Sequence, residues 1–259
     1  MAKNLIFCFS GTGNCLDMAK NIARILGDTD VVMMRSAPAV TDASGAERVG
    51  FVFPTYGGGA PEDFLRYARQ LKLRPGTYTF AVSQSASYAG TGLHELSKII
   101  PLDYWRTVTH QCSCIWLFPH TLMVPVMSPE KAQRRAEALA AAIAGDVLEG
   151  RKTDKQPPNN PLNAAENKAW PLIAKKKAEA FAVKDSCIGC GQCARLCPRG
   201  NIRMEGGRPV FGADCVQCLG CLQYCPKGAI SLGAVTDRRE HYHNPNITAE
   251  ELMQPVLHF

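Results

Sequence analysis

Along the first 150 positions, apolar residues fall alternately into short unbroken runs and helical periods. Residues 4–9, Asn-Leu-Ile-Phe-Cys-Phe, are almost wholly apolar and end at a turn, the pattern of a strand buried on both faces. Leu16, Met18, Ala19, Ile22, Ala23 and Leu26 then recur at helical spacing until Gly27 stops them. Further strands are predicted over 31–34, 49–53 and 77–83, with a fifth inside 105–117. Helices are predicted over 61–71, up to residue 100, and from a Ser128-Pro129-Glu130 cap that sets Ala132, Ala136, Leu139, Ile143 and Leu148 on one face. The segment between the second and third strands shows no helical period. Strands alternating with helical crossovers predict an α/β fold, a doubly wound five-stranded parallel sheet.

Ligands of such a sheet sit beyond the carboxyl ends of its strands. There the first strand runs into Ser10-Gly11-Thr12-Gly13-Asn14-Cys15 and a helix N-terminus, where free N–H groups and the helix dipole suit an anion. The dinucleotide pattern G-x-G-x-x-G fails at Leu16, and no Gly-Lys-Ser/Thr of a Walker loop follows. A plain strand-to-helix turn with incidental hydroxyls stays open. The loop resembles the phosphate loop of flavodoxins, Ser/Thr-x-Thr-Gly-x-Thr, and that resemblance implies FMN. It assigns phosphate contacts to the hydroxyls of Ser10 and Thr12 and the N–H groups of Gly13, Asn14 and Cys15, with Cys15 standing where the family has Thr or Ser. It also implies that the loops after the third and fourth strands flank the flavin ring through Thr55, Tyr56, Gly57, Gly58, Gln84, Ser85, Tyr88 and Gly90. Tyr56 and Tyr88 either stack on that ring or simply pack. The Gly57 or Gly58 peptide would rotate to meet the proton of a reduced flavin.

Eight of the twelve cysteines lie between 187 and 225, in two copies of C-x-x-C-x-x-C-x-x-x-C-P set 28 positions apart. Three cysteines two residues apart can wrap one cubane, while the fourth, beyond a helical turn and before proline, reaches the cluster of the other copy. One cluster is therefore assigned to Cys187, Cys190, Cys193 and Cys225, the other to Cys197, Cys215, Cys218 and Cys221. Ile188, Ile202, Val216, Leu219 and Ile230 would wrap them, and Gly189, Gly191 and Gly220 would allow close backbone approach. A structural zinc site needs neither the third cysteine at that interval nor the proline. Residues 183–232 thus resemble bacterial ferredoxins with two 4Fe-4S clusters. Cys8, Cys112 and Cys114 lie on apolar stretches and read as small core residues.

Composition changes this picture little. A chain of 259 residues, 46% of them hydrophobic, suits two globular domains. Of the net charge of +6, four units fall in 151–186, which reads as a solvated connector. No basic stripe interleaved with aromatics suggests nucleic acid, and no apolar run is long enough to span a membrane. The expected organisation is a flavodoxin-like FMN domain over 1–150, a basic, proline-rich linker over 151–182 with a short helix from Trp170, a two-cluster α+β ferredoxin-like domain over 183–234, and a solvated tail over 235–259 holding His241 and His243. With Gly57-Gly58-Gly59-Ala60-Pro61 and Tyr242-His243-Asn244-Pro245, the chain resembles the ferredoxin–flavodoxin fusion proteins (EFR-type family ferredoxins) of anaerobes. With no membrane-length apolar run the chain reads as cytoplasmic, and the resemblance implies an electron-transfer protein passing electrons between two 4Fe-4S clusters and FMN, with a redox-protein donor or acceptor. The alternatives are a flavin-dependent reductase of a small organic substrate, with Tyr56, Tyr88 or His120 as proton donor, and a redox or oxygen sensor.

Overall fold

The computed structural model describes residues 2–119 and 121–259. Strand β1 (Asn4–Cys8) pairs in parallel with β2 (Thr29–Met33) on one side and β3 (Arg48–Pro54) on the other. Parallel pairing continues through β4 (Tyr78–Ser85) to β5 (Tyr104–Thr109), so the parallel strand order is 2-1-3-4-5, the flavodoxin-like doubly wound order. Alternation along the strands divides the core. Ile6, Cys8, Val31, Met33, Val52 and Val82 pack under α1 (Asn14–Leu26) and α4 (Pro129–Leu148). Leu5, Phe7, Val32, Phe51, Phe53 and Ala81 pack under α2 (Glu62–Ala68) and α3 (Gly92–Ser97). On α4 the buried stripe runs through Ala136, Ala140, Ile143, Ala144 and Val147, so Leu148, expected on it, turns outward and is 45% exposed.

The expected short helix from Trp170 is instead an 18-residue helix, α5 (Pro161–Ala178), capped by Asn160, whose side-chain oxygen accepts from Leu162 N at 2.9 Å. It runs through Pro171, the residue that suggested a later start, since proline favours a first turn and disfavours an interior. Beyond it, β6 (Ala182–Val183) pairs antiparallel with β9 (Ile230–Ser231). Between them lie α6 (Gln192–Leu196), the hairpin β7 (Ile202–Glu205) with β8 (Arg208–Phe211), and α7 (Gly220–Gln223). The hairpin turns on Gly206 and Gly207, both at positive φ, as a two-residue turn of the primed type requires.

The tail is not a solvated segment. After α8 (Ala234–Arg238) it returns to the first module, with Tyr242, Asn244, Ile247 and Leu252 all buried. Helix α9 (Ala249–Met253) is closed by a capping box of Thr248 and Glu251, and β10 (Val256–His258) adds antiparallel to β2. Among the described residues the sheet therefore has six strands: the five parallel ones expected and a sixth from the C-terminal tail. The irregular segment after β2 meets the cysteine-rich module: Arg35 donates to the carbonyls of Arg195 (2.7 Å) and Cys197 (3.0 Å), and Ser36 N to Pro198 O (3.0 Å). Arg199 forks onto Asp63 of α2, Nε to Oδ2 at 2.5 Å and Nη2 to Oδ1 at 3.0 Å. No helix among the described residues is long and apolar enough to cross a membrane.

Candidate cofactor site

A solvent-open cavity of about 160 Å³ lies beyond the carboxyl ends of β1, β3, β4 and β5. Ser10, Thr12, Asn14 and Cys15 form one end, and Thr55, Tyr56, Gly57 and Gly58 a side. Gln84, Ser85 and Tyr88 complete the group expected from sequence. Gly13 and Gly90 act from behind the wall. Gly13 N donates to Ser10 Oγ at 3.2 Å and its Cα abuts Tyr224, Asn244 and Ile247. Gly90, at φ +66°, lies against the Gly58 carbonyl, which accepts from Thr91 N at 2.8 Å. His120 lies outside the described residues.

The tail holds the phosphate-type loop from beneath. Asn244 N donates to Thr12 O at 2.8 Å, and the Tyr242 hydroxyl lies 2.8 Å from Asn14 Oδ1 and 2.9 Å from Gln111 Oε1. The Asp17 carboxylate, in the first turn of α1, is taken up by Gln133 (2.6 Å) with Asn244 and Asn246. Burial, then the neighbouring Cys8 sulfur, pushes the Cys15 thiol well up, so it faces the cavity as a neutral group.

The other loops are more constrained than expected. Tyr56 and Gly59 exchange backbone hydrogen bonds of 2.8 and 3.1 Å around Gly57 and Gly58, which both hold positive φ. Helix α5 closes over this turn: Asn167 donates to Tyr56 O at 3.1 Å, and a Cβ on Gly57 would enter the Trp170 side chain. Tyr56 is buried, edge-on to Phe9 with ring centroids 6.2 Å apart. Tyr88 is 44% exposed, and its hydroxyl donates to Glu166 of α5 at 2.6 Å. Burial and then this carboxylate push the Tyr88 phenol up. The stretch 151–182 is thus no mere connector, since its helix supplies Glu166 and Trp170 to the cavity. Cys112 and Cys114, assigned to the core, also line it, and burial pushes the Cys114 thiol up to about 12.

Among the described residues, four side chains on this wall carry buried polar atoms with no protein partner: Gln84 Nε2 and Oε1, His110 Nε2, Trp170 Nε1 and Gln217 Oε1. Each such atom costs roughly 1–3 kcal/mol unless a ligand or water answers it. Donors and acceptors converging on a cavity beside a helix N-terminus fit a polar heteroaromatic ligand bearing a phosphate. None of His110, Trp170 and Gln217 has a local sequence signature. Gln217 only happens to fill an x position of the second cysteine motif.

Two smaller cavities of about 20 Å³ each lie in the C-terminal module. One is ringed by Cys187, Cys190, Cys193 and Cys225, the other by Cys197, Cys215, Cys218 and Cys221. The four cysteines of each set surround a shared space, as a cluster of several irons needs. Asn201 N donates to Cys197 Sγ at 3.3 Å and Ala229 N to Cys225 Sγ at 3.2 Å, equivalent positions of the repeat. Burial pushes the Cys218 thiol up to about 12, so a bound cation must displace its proton. Val216, Leu219, Ile202 and Ile230 are buried, whereas Ile188, also expected in the wrapping, is 61% exposed beside the first cavity. Gly220 approaches Gly11 O, and a Cβ on Gly11 would strike Cys218, so the second cavity and the cofactor cavity share a wall.

Residues 186–229 match the family described as 4Fe-4S dicluster domain. No curated protein matches the chain. Among solved structures, it is similar to a flavodoxin variant from Fusobacterium nucleatum bound to flavin mononucleotide: 16% identity, TM-score 0.40, 59% of this chain and 98% of that one. It is also similar to an FMN-dependent NADH-azoreductase from Bacillus anthracis, with 9% identity and TM-score 0.39 over 57% of this chain and 99% of that one. A rubredoxin oxygen:oxidoreductase from Desulfovibrio gigas gives 14% identity and TM-score 0.36 over 57% of this chain, which spans only 36% of that longer protein.

Proposed function

We propose that the chain is an electron-transfer iron–sulfur flavoprotein, holding two 4Fe-4S clusters in the two cysteine rings and FMN in the large cavity. When bound, FMN exchanges electrons singly or in pairs while each cluster passes one, so the combination couples one-electron to two-electron chemistry. The observation that carries this reading is the shared wall: Gly11 of the phosphate-type loop touches Cys218, and Gln217 of the same motif lines the cofactor cavity. Ser10, Thr12 and the N-terminus of α1 would hold the phosphate, and Trp170 and Tyr56 would exclude water from the ring. The Tyr56–Gly59 hydrogen bonds leave out the central Gly57–Gly58 peptide, so that peptide can rotate to follow a proton on the ring without breaking them.

The first cluster would sit outermost, with Cys190 and Ile188 exposed beside its cavity, which supports docking of a redox partner there. An apolar rim at the large cavity, Leu117 and Phe118 each nearly half exposed, favours a second reading as a reductase of a small organic molecule. Anaerobic purification tests the first reading. About eight iron, about eight sulfide and one FMN per chain are expected, and iron reduced by a one-electron donor should bleach the flavin. Cys225→Ser should abolish the cluster of Cys187, Cys190 and Cys193. Iron without flavin, or loss of the other cluster instead, overturns it. The reductase reading requires turnover of a small oxidant without any partner protein.

A further inference from the structure

Gln217 stands between Cys215 and Cys218 with φ +58°, a left-handed conformation that side chains rarely adopt. Its counterpart 28 positions earlier is Gly189, at φ +67°. The second motif therefore keeps the backbone of the first but puts a long amide where the first has none. That side chain is 3% exposed. Its Nε2 lies 3.4 Å from Ala174 O and 3.5 Å from Cys215 Sγ, and Gln217 N lies 3.3 Å from the same sulfur. Both side-chain neighbours are acceptors once the sulfur is a thiolate, so the amide nitrogen must face them; turned over, oxygen would oppose oxygen and sulfur. Oε1 is left buried, without a partner among the described residues, on a side chain lining the cofactor cavity.

We propose that Gln217 is a positioning residue linking the second cluster to the flavin: Nε2 donates to Cys215 sulfur while Oε1 accepts from an N–H or O–H of the bound flavin. This rests on the reading of the large cavity as an FMN site. Hydrogen bonds to cluster sulfurs favour the reduced cluster, and an amide polarised at its oxygen is a stronger donor at its nitrogen. Flavin binding then raises the potential of the second cluster, and by linkage reduction of that cluster tightens flavin binding.

The test is an anaerobic titration of both clusters, followed by EPR, in wild-type protein, Gln217→Met and Gln217→Gly, each with and without FMN. In wild type, removing FMN should lower the potential of the second cluster and leave the first in place. In Gln217→Met the FMN-dependent shift should disappear and FMN should bind about five- to tenfold more weakly, one hydrogen bond being lost. Gln217→Gly, which suits the left-handed backbone, should lose the shift with no loss of thermal stability. Wild-type FMN affinity together with an undiminished shift in either variant overturns the proposal. Wild-type protein that carries both clusters but binds no FMN overturns the cavity reading and this inference with it.

Discussion

At Gly11, where the loop after β1 meets the second cysteine motif, any Cβ would run into the backbone and Cβ of Cys218. Gly11→Ala should separate the two at a cost of about 1–3 kcal/mol. A lower melting temperature and loss of FMN on gel filtration check this; unchanged retention of both would contradict it. His110 gives a pH signature. Its Nδ1 accepts from Gln111 N at 2.9 Å, so the neutral ring keeps its proton on Nε2. Burial, only partly offset by the Asp17 carboxylate, brings its pKa down to about 4. The unfolded chain takes up that proton near pH 6.5, so the stabilisation is complete above 6.5 and disappears as pH falls toward 4, at most roughly 3 kcal/mol. His110→Gln should therefore lose less melting temperature than wild type between pH 6.5 and 4. At this scale the cysteines and the Ser10–Cys15 loop were legible, because their chemistry is written in short spacing. His110, Trp170 and Gln217 were not, since each is a common residue made special by neighbours distant in the chain.

Strands and helices with a clear period were legible as elements: β1, β3, β4, α1 and α4 lie within a few residues of where the pattern puts them. The misread elements are those whose apolar face is satisfied elsewhere. Helix α5 has only Ala174 and Ala178 buried, so no stripe announces it, and β10 is three residues long. Yet the tail that contains β10 carries weight. Lys20 is 6% exposed and pairs with Glu251 of α9. Glu251→Gln leaves that ammonium buried without its counter-charge and should cost roughly 3 kcal/mol, read as a lower melting temperature of the anaerobic holoprotein. A loss no larger than that of an exposed pair, under about 1 kcal/mol, would show that solvent reaches Lys20.

Across the whole molecule, the Arg199–Asp63 fork, the Arg35 contacts and the returning tail join the two modules. Asp63 is 5% exposed, so Asp63→Ala leaves Arg199, among the described residues, with the more exposed Glu62 and Asp214 and should cost about 3 kcal/mol. On the proposed reading, thermal unfolding should then split into separate flavin-release and cluster-loss steps, and reduction of the flavin through the clusters should slow. A single transition at the wild-type temperature would contradict this. The amino-acid sequence alone determined the parallel α/β sheet, the paired cysteine motifs and the phosphate-type loop, because periodicity and close spacing act between near neighbours in the chain. Only the tertiary structure decided that α5 roofs the large cavity, that the tail completes the sheet, and that Cys218 and Gln217 form a wall common to both sites. Those contacts join residues up to about 230 positions apart, such as Tyr242 with Asn14, and depend on how two modules pack, which no local pattern encodes.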